Sequence, residues 1–224
     1  MNKLPQNKIA IVLPAYNEKL LLDDLLSEIK FFFKNQVHII VVDDGSADMT
    51  FEIASKYTDF VLKHLVNLGK GSALRTGCKF AFYTLGVDYV ILMDADRQHA
   101  VSDLVKFIGK INKGQNLILG VRSFEGMPML VALANKLTSS ILKVIYGIYV
   151  PDILSGYKAM SKFVYESLSW RAVGYEVEID IARTIAKEKM SFSTLRIKTI
   201  YPGYVKGVSF VDAVEVWFNF FGFR

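Results

Sequence analysis

The sequence predicts an α/β fold: an open, mostly parallel sheet flanked by helices. Three observations predict it. Short runs rich in Val, Ile and Leu alternate with segments of helical periodicity through Arg122. The first of them, residues 9–13, is continuously apolar rather than alternating, as expected of a strand buried on both faces. The connections are short, and no internal repeat or low-complexity tract interrupts them.

Residues 9–13 form the first apolar run. Residues 17–34 follow as a helix, with Leu22, Leu25, Leu26, Ile29, Phe32 and Phe33 on one face. Residues 38–42 are the second strand. Ser46 or Asp48 can cap the next helix, which turns Phe51, Ile53, Ala54 and Tyr57 toward the core. A third strand at 60–65 leads to a helix through Leu74, Cys78, Ala81, Phe82 and Leu85. A fourth strand at 89–93, a helix at 103–111 and a fifth strand at 117–121 complete the alternation.

Beyond Arg122 the pattern changes. Residues 129–149 read as a long helix, apolar on most faces but carrying Lys136 and Lys143. Residues 152–160 are turn-like, 176–189 helical and 192–200 strand-like. In the final stretch Phe210, Val214, Trp217, Phe218 and Phe221 recur at helical spacing. The expected organisation is one domain over residues 1–207, followed at 208–224 by an amphipathic aromatic tail.

Composition narrows the function. The 224 residues carry 27 Lys plus Arg against 22 Asp plus Glu, a net charge of +5. That charge is spread out, with no basic stripe of the kind nucleic acid requires. A single cysteine, Cys78, excludes a disulfide framework and a Cys-rich zinc site, and points to a reducing compartment. Hydrophobic residues make up 52% and mean hydropathy is +0.28, yet no uncharged run reaches the roughly 18 residues a bilayer span needs. The polar start of the chain lacks the pattern of a signal peptide. Apolar excess without a span, with mild positive charge, suits a protein lying on an anionic membrane face.

In an open α/β sheet, ligands bind beyond the carboxyl ends of the strands. Here those ends read Pro14-Ala15-Tyr16-Asn17-Glu18, Asp43-Asp44-Gly45-Ser46, Asp94-Ala95-Asp96-Arg97-Gln98-His99 and Gly120-Val121-Arg122. Carboxylates gathered at one edge repel each other unless cations or hydrogen-bond donors stand between them. A divalent metal with a bound phosphate group meets that need. Asp94 and Asp96, two residues apart, can hold Mg²⁺ or Mn²⁺ together with substrate phosphates. Asp43 and Asp44 suit the hydroxyls or base N–H of a nucleoside. The segment Asn67-Leu68-Gly69-Lys70-Gly71-Ser72 resembles a Gly-rich loop at a helix start, where Lys70 can approach phosphate. The P-loop and G-x-G-x-x-G spacings are absent, and no Ser-His-Asp or Cys-His nucleophile system is evident.

Five motifs in this order resemble glycosyltransferase family 2, with the GT-A fold: Leu13 to Glu18, Val42 to Asp48, Asn67-x-Gly69-Lys70-Gly71, Asp94-Ala95-Asp96-x-Gln98-His99 and Gly120-x-Arg122. Within that family, the Asp94 motif and Asp152-Ile-Leu-Ser155-Gly156-Tyr157-Lys158-Ala159 are similar to the polyprenyl-phosphate sugar synthases. So is Gly174-Tyr175-Glu176-Val177-Glu178. The Q-x-x-R-W motif of processive polysaccharide synthases is absent.

The resemblance implies a site. Pro14, Tyr16, Glu18, Asp43 and Asp44 line a nucleoside pocket, with Lys70 close by. Asp94, Ala95 and Asp96 receive the nucleotide sugar, and Asp94, Asp96 and Gln98 hold its Mg²⁺ or Mn²⁺. Arg122 meets the acceptor phosphate or the leaving diphosphate, while Asp152 and Glu178 face the sugar or acceptor. Lys206 stands near the place of a late arginine in such synthases, at a shifted position. The implied reaction is an inverting transfer of a hexose from a nucleotide sugar of the GDP-mannose or UDP-glucose type, catalysed through Asp96, Arg122 and Asp152. The implied acceptor is a polyprenyl or dolichyl phosphate at the cytoplasmic face of a membrane, with the protein peripheral or monotopic. Two readings stay open beside it. One is transfer to a glycan or other hydroxyl, with Asp152 as base. The other is a nucleotide-sugar-binding subunit with a membrane-protein partner. A second copy of the chain would also suit the apolar surface.

Overall fold

A computed structural model describes residues 8–122, 129–168, 170, 172–174 and 176–200. The chain runs β1 (Ile9–Ala15), α1 (Leu22–Phe33), β2 (His38–Asp43), α2 (Thr50–Ser55), β3 (Val61–Lys63) and α3 (Lys70–Lys79), which continues into a π-helical turn at Phe80–Thr84. Then come β4 (Tyr89–Leu92), α4 (Ser102–Ile111), β5 (Leu117–Arg122), α5 (Met129–Tyr146), β6 (Lys158–Ser161), α6 (Lys162–Ser167), α7 (Val177–Lys187) and β7 (Ser193–Ile197).

The strands form one sheet in the order β3-β2-β1-β4-β6-β5-β7. Only β6 runs antiparallel to its neighbours, β4 and β5. Successive residues of β1 feed opposite faces: Ala10 and Val12 enter one core cluster, Ile9, Ile11 and Leu13 the other. Two buried faces explain the uninterrupted apolar runs, since period-2 alternation appears only where one face meets water.

Local differences from the sequence expectation have physical causes. The α1 helix begins at Leu22 because Asn17 takes a positive φ of 54° and the Glu18 carbonyl closes a turn onto the Leu21 and Leu22 N–H groups. Phe32 lies outside the buried stripe, while Phe33 is within it. At α2, Asp48 accepts from the Thr50 N–H at 3.0 Å, whereas Ser46 accepts from the Asn17 N–H at 2.9 Å. The turn-like reading of 152–160 misses β6, a four-residue strand whose Lys158 and Ser161 are polar but buried. Four residues with two polar side chains carry too little periodicity to signal a strand.

Helix α5 buries Asn135, Thr138, Ser139 and Leu142 and exposes Met129, Leu133, Leu137 and Val144. Among the described residues, no helix is long and apolar enough to cross a membrane. The expected aromatic tail, the boundary at 207, Lys206 and Tyr175 lie outside the described residues.

Candidate active site

Register brings the strand ends to one edge. Ala15 of β1 lies opposite Asp43 of β2, and Val12 lies opposite Leu92 of β4. The Asp44 N–H also bonds the Ala15 carbonyl at 2.8 Å. The loops bearing Tyr16, Asp43 and Asp94 therefore leave the sheet on the same side.

The expected nucleoside residues divide by environment. Pro14 is half-buried, Tyr16 exposed and Ala95 buried. The Glu18 N–H donates to Thr50 Oγ1 at 2.9 Å, tying the first loop to α2. Asp43 is fully buried; its Oδ1 accepts from the Ser46 N–H at 2.9 Å. Asp43 Oδ2 has no hydrogen-bond partner and lies 3.6 Å from Lys63 Nζ, so it retains acceptor capacity. Asp44 is engaged within the protein. Its Oδ1 meets His64 Nδ1 at 2.6 Å and the Leu68 N–H at 3.0 Å, and its Oδ2 accepts from the Gly69 N–H at 2.8 Å. His64 in turn reaches Thr76 Oγ1 at 3.0 Å. Asp44 thus shapes the 64–69 loop, and His64 is a partner that no sequence motif announces.

Lys70 opens α3 beside Glu178 in the first turn of α7. Its Nζ lies 2.7 Å from Asp94 Oδ1 and 2.7 Å from Glu178 Oε1. Burial disfavours the ammonium, but these two carboxylates outweigh it and raise its pKa above the ordinary lysine value. The close approach depends on glycine: a Cβ at Gly69 would lie 2.5 Å from the Val173 carbonyl oxygen, and one at Gly71 2.6 Å from that of Ala172. The backbone of 172–174 therefore packs directly onto the start of α3.

Burial would raise the Asp94 carboxyl, yet Lys70 and His99 hold it well below the usual range. His99 Nε2 is 3.4 Å from Asp94 Oδ2, and its ring packs on Tyr157 at 4.8 Å. Asp96 behaves oppositely: burial and the charge of Asp94 raise its pKa. Its Oδ1 accepts from the Gln98 N–H at 3.0 Å, and the Gln98 carbonyl accepts from the Ile200 N–H at 3.0 Å.

Among the described residues, no three His, Cys, Asp or Glu side chains form a complete metal cage. The residues nonetheless fit a hard divalent ion that shares its shell with phosphate. Two carboxylates supply hard oxygen donors, and their mutual repulsion is what a cation relieves. Gly156 makes room beside them, since a Cβ there would collide with Asp94 Oδ2.

At the end of β5, Asp152 accepts from three Arg122 groups. Its Oδ2 takes the backbone N–H at 2.7 Å and Nε at 3.0 Å, and its Oδ1 takes Nη2 at 2.7 Å. Asn135 of α5 adds Nδ2 to Oδ1 at 2.5 Å. Burial would raise the Asp152 carboxyl, but the Arg122 guanidinium keeps it below its ordinary value. This fork fixes the plane and direction of the guanidinium. Lys158, which the sequence marks only as one member of a motif, is also here. Its buried ammonium donates to the carbonyls of Ile153 and Ser155. Burial lowers its pKa to about 8, with Lys70 adding to the shift and Glu178, Asp152 and Asp94 opposing it. Its sequence signal is a cation within an otherwise apolar run.

Comparison with known proteins shows the family and the fold. The glycosyl transferase family 2 profile matches residues 10–168. The UDP-N-acetylglucosamine–dolichyl-phosphate N-acetylglucosaminyltransferase of Methanococcus voltae is 33% identical over 238 residues, 94% of this chain and 94% of that protein. The polyprenol monophosphomannose synthase of Mycolicibacterium smegmatis is 27% identical over 92% of this chain and 81% of its own length. A crystal structure of glucosyl-3-phosphoglycerate synthase from Mycobacterium tuberculosis, with Mn²⁺ and UDP-glucose, superposes with a TM-score of 0.75 at 22% identity, covering 97% of this chain and 79% of that one. The sheet with its single reversed strand is the GT-A fold, and with the profile spanning most of its length the chain belongs to glycosyl transferase family 2 as an enzyme of that family.

Proposed function

We propose that this enzyme transfers a sugar from a nucleotide sugar to a polyprenyl phosphate. The Arg122–Asp152 fork carries the reading. A hydroxyl acceptor needs a base to take its proton, and Asp152 is a poor one: its oxygens are engaged and its pKa is lowered. A phosphate acceptor needs no base, because its oxygen is already anionic at neutral pH, with a second pKa of about 6. It needs a directed cation, which Arg122 supplies. The names of the relatives in Methanococcus and Mycolicibacterium support a lipid phosphate as acceptor.

In the proposed reaction an acceptor phosphate oxygen attacks the anomeric carbon as the bond to the diphosphate breaks, inverting that centre. Arg122 orients the incoming phosphate, and Lys70 is placed for the diphosphate. Tyr16 and the strand end that carries the buried Asp43 line the nucleobase pocket, while Pro14 and Glu18 shape that loop. Asp44 holds the neighbouring loop in place. A Mg²⁺ or Mn²⁺ ion held by Asp94, Asp96 and Gln98 would neutralise charge on the leaving diphosphate. Glu178 keeps Lys70 at the site. Lys206 stays in this reading as a further cation for phosphate.

The direct test is transfer of radiolabelled sugar into organic extract, with Mn²⁺, a polyprenyl phosphate, and UDP-N-acetylglucosamine, UDP-glucose or GDP-mannose. Lipid-linked label with one donor supports the reading. Label found only on water-soluble acceptors sinks it.

A lipid acceptor requires the enzyme to reach a bilayer, and the reading places it at the cytoplasmic face. Helix α5 suits that contact. Asn135 touches Asp152 on its inner side, while Leu133, Leu137 and Val144 lie exposed and Lys136 and Lys143 are exposed too. Such a helix lies in the headgroup region. Replacing Leu133 and Leu137 together by Glu is expected to weaken binding to anionic vesicles roughly tenfold or more, read by co-sedimentation. Unchanged sedimentation would remove α5 from the membrane contact.

A further inference from the structure

Lys158 lies in the middle of the sheet, opposite Leu92 of β4 and Leu119 of β5. Those neighbours lead directly to Asp94 on one side and Arg122 on the other. The lysine thus lies beneath the junction of the donor and acceptor halves of the site. Its ammonium reaches the carbonyl of Ile153 at 3.3 Å and that of Ser155, closing the 152–156 turn onto the strand that follows it. Within that turn the Ser155 N–H bonds the Asp152 carbonyl at 3.1 Å, and Asp152 is held at a φ of +43°, in the left-handed region.

A simpler role would be to satisfy two carbonyls. A neutral donor would do that without the desolvation cost of burying an ammonium. What a cation adds is charge, felt by Glu178, Asp152 and Asp94. The carboxylates of the site outnumber its other cations: Asp94, Asp96, Asp152 and Glu178 face Lys70 and Arg122.

We propose that Lys158 is a positioning residue for the acceptor phosphate: by closing the 152–156 turn and by the attraction of its positive charge for the Asp152 carboxylate it fixes Asp152, and through Asp152 the direction of the Arg122 guanidinium. The proposal rests on the reading that Arg122 receives a phosphate-bearing acceptor. It bears first on the acceptor half of the site, because Asp94 has ion pairs of its own with Lys70 and His99.

The test compares wild type, Lys158→Met and Lys158→Arg. Calorimetry gives the affinity for UDP and for GDP with Mn²⁺. Steady-state rates are measured with two phosphate-bearing acceptors, a polyprenyl phosphate that accepts through its phosphate and phosphoglyceric acid that accepts through its hydroxyl, and with water alone as donor hydrolysis, using UDP- and GDP-sugars. In Lys158→Met, nucleotide affinity and donor hydrolysis are expected to stay within about threefold, while the acceptor KM rises roughly tenfold or more, since a misplacement on the order of 1 Å is that costly. Lys158→Arg is expected to recover part of the loss.

A pH profile adds a readout that a packing role would not move. The groups facing Lys158 are Asp94 after β4, Lys70 of α3, Asp152 of the turn and Glu178 of α7. With the ammonium depressed to about 8, the wild-type acceptor KM climbs as pH rises through that value. The profile of Lys158→Arg stays flat, because guanidinium does not titrate there.

An unchanged acceptor KM in Lys158→Met overturns the proposal, and so does a parallel loss of nucleotide affinity, which would mean general collapse. Wild-type turnover of phosphoglyceric acid but not of the lipid overturns the lipid reading, and Lys158 is then judged on the soluble acceptor. A wild type that transfers to neither acceptor overturns both.

Discussion

Asp96→Ala is expected to lose sugar transfer by roughly 10³-fold, the scale of removing a group that stabilises transition-state charge, in a protein no less stable than wild type. The two halves of this expectation have one cause. Burial and the neighbouring charge of Asp94 raise the Asp96 pKa, so ionised Asp96 is unfavourable in the folded protein. A carboxyl with a raised folded pKa contributes stability at low pH, and that contribution is lost as pH rises through its folded value. At neutral pH its removal therefore relieves repulsion. A residue that weakens the fold yet is required for turnover marks a site built to receive a cation. Label transfer and thermal unfolding on one preparation check both halves. Activity within tenfold of wild type would remove Asp96 from the chemistry.

Asp44→Ala is expected to do the reverse and strike the fold. The carboxylate is buried and meets two backbone N–H groups and His64. Taking the acceptor away from two backbone N–H groups and an imidazole, at about 1–3 kcal/mol for each buried group left unsatisfied, costs about 3–5 kcal/mol. For a domain of this size that lowers the unfolding temperature by roughly 6–20 °C. The 64–69 loop would lose its anchor, and Gly69 leads directly into Lys70. Nucleotide affinity would fall as a consequence rather than through a lost contact. A shift below about 2 °C would show that another group holds the loop and would return Asp44 to the nucleoside pocket.

These two residues show what the sequence could and could not reveal. Both are aspartates at strand ends, and their motifs assign both to ligand, Asp44 to the nucleoside and Asp96 to the metal. What separates them is their partners: Asp44 meets N–H groups and an imidazole more than 19 residues away, whereas Asp96 faces another carboxylate. Of the six expected strands, β1, β2, β4 and β5 were legible because burial on both faces leaves a largely apolar run. Strand β6 was not, because its identity rests on pairing with β4 and β5, and no local pattern encodes that. The Arg122–Asp152 fork spans 30 residues and the Lys63–Asp43 contact 20, so neither could be read from spacing. Tyr157 entered the sequence reading only as a member of the Asp152 motif. It lies against His99 and Phe107, behind the Asp94 carboxylate.

The reversed strand also sets an order of assembly. Strand β5 pairs with β6 and β7 but not with β4, so it has no partner in the sheet until the chain has reached residue 161. Before then β4 is an open edge, and Asp94 and Arg122 belong to pieces that do not yet touch. Non-local pairing of this kind is slow, and open edges invite association with other chains while they wait. As a nascent chain emerges, the N-terminal half with β1 to β4 can pair first, and β6 then enters as the bridge. Lys158 arrives with it, so the donor and acceptor sides meet in the same step that completes the sheet.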